Sequence, residues 1–191
     1  MRIKYVDGLK IRNTLDVDFG VIGSRAIYSY IPEGEIWFDK LYMKEKKHFL
    51  KIHLTELKLL KKISYEQARR IIEKKFIVKA KKIEIPDFVV KTTKYKGYII
   101  MYVDGRIIRK FIDPKFIFGC HWVLGRNYKL NKNEIWIDIR QDKRELKYTL
   151  AHEQYEADLM KKGMKYNDAH DFALAYEKTL RRKDGARYLK D

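Results

Sequence analysis

The sequence has too few cysteines and too few long apolar segments for several classes of protein. Cys120 is the one cysteine among 191 residues, so a disulfide framework is excluded. The N-terminal residues contain no apolar signal core, and the longest uncharged stretch, residues 116–125, is much shorter than a bilayer span. We therefore expect a soluble protein of the cytoplasm with no membrane partner.

Proline is also scarce, and two familiar catalytic patterns are missing. The chain has three prolines and is rich in Lys, Ile, Glu and Tyr, a bias that resembles the composition of hyperthermophile proteins. No glycine-rich phosphate loop and no Ser/His/Asp nucleophile arrangement is present. Hydrophobic residues make up 46% of the chain, which is enough for a sizeable core and excludes a mainly disordered protein.

Acidic residues are outnumbered by basic ones. Lys and Arg total 43 against 26 Asp and Glu, which gives a net charge of +17. Such an excess favours an anionic partner, most often nucleic acid, whereas a surface of dense ion pairs is the alternative. Two basic clusters lie at the ends of predicted helices, where they predict either nucleic-acid contacts or cations that complement the helix dipole. They comprise Arg69, Arg70, Lys74, Lys75, Arg181, Arg182 and Lys183.

The sequence indicates an internal duplication. Several segments of the N-terminal half recur in the same order in the C-terminal half, with small gaps between them. The matching positions are Tyr-Val-Asp-Gly at 5–8 and 102–105, Glu-Ile-Trp at 35–37 and 134–136, and His53 with His152. We therefore predict a first repeat over residues 1–75, connecting strands or a linker over 76–97, and a second repeat over 98–191. A turn is expected at Pro86-Asp87 in the connecting segment.

Each copy is predicted to be an α+β unit. The Asp-Gly pair at residues 7–8 or 104–105 lies between apolar runs, which is a signal for a tight β-hairpin. A short strand follows, and then two amphipathic helices joined by a short turn. The predicted fold is therefore α+β with a tandem duplication, in which each copy is a β-hairpin and short-strand sheet followed by a two-helix hairpin.

The candidate chemistry lies in the long helix of the second copy. His152 and Glu156 are four residues apart and share one helix face, and an antiparallel second helix would bring His170 opposite them. Two imidazoles and one carboxylate suit zinc or another divalent metal with an open coordination position. Glu153 would then serve as general base on a water molecule that the metal activates. Further candidate ligands or supporting groups are His121 and Asp138.

These residues carry a resemblance to known proteins. His-Glu-x-x-Glu at residues 152–156 resembles the zincin metallopeptidase signature His-Glu-x-x-His, with Glu156 at the position of its second histidine. Together with the repeated segments and Tyr-x-x-Ala-His at 166–170, it resembles short uncharacterised proteins of phages and archaeal mobile elements. The resemblance implies that His152, Glu156 and His170 are metal ligands and that Glu153 is the catalytic base.

The first copy lacks this ligand set. It retains His53, places Glu56 three residues later, and has Arg69 where the second copy has His170, so we expect a buried ion-paired cluster there. The second copy is open to three interpretations: a structural clamp between two helices, a metal site, or an active or vestigial metal-dependent hydrolase. A non-enzymatic, basic nucleic-acid-binding or accessory protein is the alternative function.

Overall fold

Two small β-sheets and six α-helices make up the described part of this mixed α+β protein. The computed structural model describes residues 1–77, 88–124 and 130–189. The turn predicted at Pro86-Asp87 lies outside these residues. The predicted α+β class is confirmed.

A three-stranded sheet and two longer helices form the first half. Strand β3 lies in the middle of this sheet, parallel to β1 and antiparallel to β2, and a 3-10 turn over Lys40–Glu45 leads from β3 to α2. The elements in chain order are β1 (Arg2–Val6), α1 (Gly8–Thr14), β2 (Ile22–Ser24), β3 (Glu35–Asp39), α2 (Lys46–Leu59) and α3 (Tyr65–Phe76).

The second half contains a four-stranded sheet in the order β4-β5-β7-β6. Strand β7 is parallel to β5 and antiparallel to β6, and β4 joins β5 through the two-residue loop Lys96-Gly97, where φ is 48° and 82°. Positive φ at both residues is typical of a tight hairpin loop. The elements are β4 (Val89–Tyr95), β5 (Tyr98–Val103), α4 (Gly105–Phe111), β6 (Gly119–His121), β7 (Glu134–Asp138), α5 (Leu146–Lys161) and α6 (Tyr166–Lys183).

Equivalent strands of the two halves have the same order and the same direction. The order β1-β3-β2 in the first sheet corresponds to β5-β7-β6 in the second. The parallel pair ends with Val6 opposite Asp39 in the first half and with Val103 opposite Asp138 in the second. A pair of helices follows the central strand of each sheet, α2 with α3 and α5 with α6.

The β-hairpin predicted at each Asp-Gly pair is wrong, because each pair begins a helix. The side chain of Asp7 accepts a hydrogen bond from the Lys10 amide at 3.2 Å, and Asp104 accepts one from the Arg106 amide at 3.1 Å. Aspartate is favoured both in tight turns and as a helix N-cap, so the pair alone does not distinguish the two structures. The residues that follow each aspartate form a short helix, α1 or α4.

A close approach explains the glycine that follows each aspartate. A Cβ atom on Gly8 would lie 1.9 Å from Oδ2 of Asp39, and one on Gly105 would lie 2.0 Å from Oδ2 of Asp138. These aspartates are the last residues of the neighbouring strands β3 and β7. Glycine therefore lets each short helix begin directly against the end of the central strand.

Two buried arginines form ion pairs between the halves. Nε of Arg12, in α1, donates to Oε2 of Glu145 at 3.1 Å. Arg109, in α4 of the second half, pairs with a residue of the first half: its Nε and Nη2 donate to the two carboxylate oxygens of Glu45 at 2.7 and 2.8 Å. Glu45 and Glu145 immediately precede α2 and α5. Each arginine therefore holds the start of a helix that belongs to the other half.

Replacing Arg109 with Leu tests this interface. The change leaves Glu45 and the fully buried Asp138 without their guanidinium partner, so we expect the free energy of unfolding to fall by about 3 kcal/mol or more in urea denaturation. The control is Arg106→Leu, which removes an exposed arginine from the same helix and should cost less than about 1 kcal/mol. Equal losses in the two variants would contradict the role given to Arg109.

Candidate functional site

A cavity of about 580 Å³ lies between the two halves. Its wall includes His53 and Glu56 from α2, His152 and Glu156 from α5, and His170 from α6. This volume is within the usual range for small-molecule sites in proteins. The histidine–glutamate motif therefore borders a space in which a substrate could be bound.

Helices α5 and α6 place the motif on the cavity wall. His152 and Glu156 lie one turn apart on α5. The chain reverses at Gly163, whose φ of 93° is the left-handed conformation that favours glycine. Helix α6 then runs antiparallel to α5, so that His170 lies beside Glu156 and Glu177 lies beside His152.

The carboxylate of Glu156 is the centre of the site. Its Oε1 atom lies 2.7 Å from Nε2 of His121, which comes from strand β6. Its Oε2 atom lies 2.7 Å from Nδ1 of His170 and 3.3 Å from Nε2 of His152. These two ring nitrogens are only 3.2 Å apart. One carboxylate, 2% exposed, therefore contacts three imidazole rings.

Carboxylates also lie near the remote nitrogens of two of these rings. Nδ1 of His152 lies 3.0 Å from Oε2 of Glu177. The other oxygen of Glu177, Oε1, accepts a hydrogen bond from Nε of Arg181 at 2.8 Å. Nε2 of His170 lies 3.7 Å from Oδ1 of Asp18, a residue of the first half. A carboxylate behind the ring is the arrangement that orients metal-binding histidines and makes them more basic.

These contacts shift the pKa values of the cluster. Burial raises the pKa of Glu156, but hydrogen bonds from the three imidazoles outweigh it and hold that pKa well below its usual range. Burial lowers the pKa of His152, yet its contacts with Glu156 and Glu177 raise it to about 10. Burial likewise lowers the pKa of His170, but its contacts with Asp18 and Glu156 raise it to about 9. The carboxylates therefore favour protonated rings at His152 and His170, and a metal ion must displace those protons.

The structure brings together the three ligands predicted from the sequence. One ligand atom from each of His152, Glu156 and His170 lies within 4.8 Å of the others. Glu153 belongs to a neighbouring group, with His121 and Glu156, that meets the same distance. Asp138 is not part of the site, because it accepts hydrogen bonds from Arg109 and from the backbone amides of Gly105 and Arg140.

Two residues of the site were not predicted as such. Glu177 lies seven residues after His170, on the same face of α6, so helical periodicity could have identified it. Asp18 reaches His170 from the other half of the chain, and no local pattern in the sequence indicates that contact.

The first half holds a different arrangement on its side of the cavity. Glu56 pairs with Nζ of Lys115, which also lies 3.0 Å from the hydroxyl of Tyr65. The predicted cluster of His53, Glu56 and Arg69 is therefore wrong. Arg69 instead pairs with Glu73 and Asp113, and the ammonium of Lys115, a residue of the second half, lies beside Glu56.

The basic residues proposed for nucleic-acid contact have different environments. Arg181 is 1% exposed and pairs with Glu145 and Glu177, so it belongs to the interior and not to a surface cluster. Arg69 is largely buried in its ion pairs. The exposed members lie on α3 and near the end of α6, and they are Arg70, Lys74, Lys75, Arg182 and Lys183.

Comparison of the chain with protein-family models, with curated proteins and with solved structures finds no match. Within residues 1–77, 88–124 and 130–189, no helix is both long enough and apolar enough to cross a bilayer. The chemistry of the site therefore has to be inferred from its own geometry.

Proposed function

We propose that the protein binds a divalent metal ion, zinc by preference, through His152, Glu156 and His170. The observation that supports this is the convergence of two ring nitrogens, 3.2 Å apart, on one oxygen of Glu156. In a purely structural clamp, these two nitrogens can share one proton in a hydrogen bond, whereas a second proton there would crowd against the first. A cation between the three atoms removes the crowding, and two imidazoles with a carboxylate are ligands that zinc accepts.

The proposed activity is hydrolysis of a substrate that fits the cavity between the halves. A divalent ion on three protein ligands supplies a Lewis acid with a free coordination position, and it lowers the pKa of a water molecule that it contacts. Glu153 follows His152 directly on α5 and is 9% exposed. Its carboxylate is close enough to the site to take part in proton transfer or in metal binding.

We also infer that the two halves arose by duplication of one unit, and that only the second kept the site. The shared strand order, the paired Asp-Gly helix starts and the reciprocal arginine contacts support this inference. In the first half, Glu56 lies beside the ammonium of Lys115, a residue of the second half, and no corresponding ligand set is proposed there. An origin in a phage or archaeal mobile element stays a prediction from resemblance.

Zinc binding by the tag-free protein tests the metal proposal. After chelator treatment and reconstitution, elemental analysis should find bound zinc, and His170→Ala should weaken zinc binding at least about 100-fold in calorimetric titration. The control is His53→Ala, which removes a buried histidine from the first half and should leave the affinity unchanged. Absence of zinc after reconstitution, or equal effects of the two substitutions, would contradict the proposal.

Nucleic-acid binding is a second candidate function, supported by the net charge of +17 and by the exposed cations of α3 and α6. In fluorescence anisotropy with a duplex DNA of about 20 base pairs, affinity should fall at least about tenfold between 50 and 200 mM salt, because bound cations are released from phosphates. Replacing Lys74 and Lys75 with Gln should reduce both affinity and salt dependence. Binding that is absent at low salt, or indifferent to salt, would exclude this function.

A further inference from the structure

We propose that Glu156 bridges two divalent ions, the second of which is held by His121 and Glu153. This proposal rests on the proposed metal function and extends it from one ion to two. Two groups of ligand atoms meet the distance expected around an ion, His152–Glu156–His170 and His121–Glu153–Glu156, and they share only Glu156.

The two oxygens of Glu156 serve different groups. Oε2 contacts His152 and His170, whereas Oε1 lies 2.7 Å from Nε2 of His121. A carboxylate that presents one oxygen to each of two ligand groups can bridge a pair of ions. Two-metal hydrolytic sites hold their ions about 3.5–4 Å apart, which is a separation that a bridging carboxylate spans.

Strand β6 is shaped to hold the second group. His121 is two residues after Gly119, so both positions lie on the same face of the strand. A Cβ atom on Gly119 would lie only 3.0 Å from Cγ and Oε1 of Glu153. The glycine therefore makes room for the Glu153 carboxylate beside His121.

The first half provides an internal comparison, because its strand register identifies equivalent positions. Gly119 lies opposite Ile137 and Ile22 lies opposite Phe38, and the register continues to His121 and Ser24. On the helix, Leu54 and Leu57 occupy the positions of Glu153 and Glu156. The imidazole, both carboxylates and the space for them are thus absent together from the first half. This joint difference is expected if the four residues serve one purpose.

Charge also favours a second ion. Glu153 and Glu156 are 9% and 2% exposed, and their carboxylates belong to one compact group. Glu177, a further buried carboxylate beside His152, pairs with Arg181. Two neighbouring buried carboxylates repel each other, and an ion held by both Glu153 and Glu156 would reduce that repulsion.

The two ions should bind with different affinities. Nδ1 of His152 contacts Glu177, whereas Nδ1 of His121 is buried and makes no hydrogen bond to the described residues. A supporting carboxylate makes an imidazole a stronger ligand, and losing such support typically costs about 10–100-fold in affinity. The ion at His121 should therefore bind second, at least about 10-fold more weakly than the first.

Manganese titration of the full chain tests this proposal. The chelator-treated protein should bind two Mn²⁺ ions in two phases, and the electron paramagnetic resonance spectrum of the loaded protein should show a spin-coupled pair. Glu153→Gln, which keeps the shape of the side chain, should bind one Mn²⁺ with an uncoupled signal. His53→Gln is the matched control in the first half and should retain two coupled ions.

The outcomes separate this proposal from the one on which it rests. One ion per wild-type chain would overturn the bridged pair and leave the single metal site intact, whereas no bound ion with either manganese or zinc would overturn both. Two uncoupled ions would place the second elsewhere, and two coupled ions in Glu153→Gln would exclude Glu153 as a ligand. Should Glu153→Gln fail to fold, Gly119→Ala displaces the same carboxylate and should likewise reduce binding to one ion.

Discussion

The ion pairs of Arg12 and Arg109 determine how the two halves of the molecule face each other. Each buried guanidinium donates to the glutamate that precedes a long helix of the opposite half, Glu145 or Glu45. Because a guanidinium fixes the direction of its hydrogen bonds, these pairs orient α2 and α5 toward a common cavity. The same orientation lets Asp18 of the first half reach His170 of the second.

The two sides of the cavity differ at one corresponding helix position. On the side of the second half, Glu156 contacts three imidazoles, and carboxylates lie near the remote nitrogens of two of them. On the side of the first half, Leu57 stands at that position, and the nearby Glu56 is paired with Lys115. A positively charged side chain thus takes the place that we assign to a metal ion in the second half.

The sequence was sufficient to predict the contacts that follow from helical periodicity. The four-residue spacing of His152 and Glu156 and the short turn before α6 predicted that His170 would face them. The Asp-Gly pairs were misread as hairpins, because the same two residues suit a turn and a helix start. The contact between Lys115 and Glu56 joins residues that are distant in the sequence, so no local pattern could predict it.

The position of a bound ion is the most direct test of the central claim, that Glu156 is a metal ligand. Crystals grown with zinc and measured at the zinc absorption edge should give an anomalous peak about 2.0–2.2 Å from Nε2 of His152, Nδ1 of His170 and Oε2 of Glu156. Crystals saturated with zinc that show these three atoms in direct hydrogen bonds, with anomalous peaks only at surface residues, would contradict it.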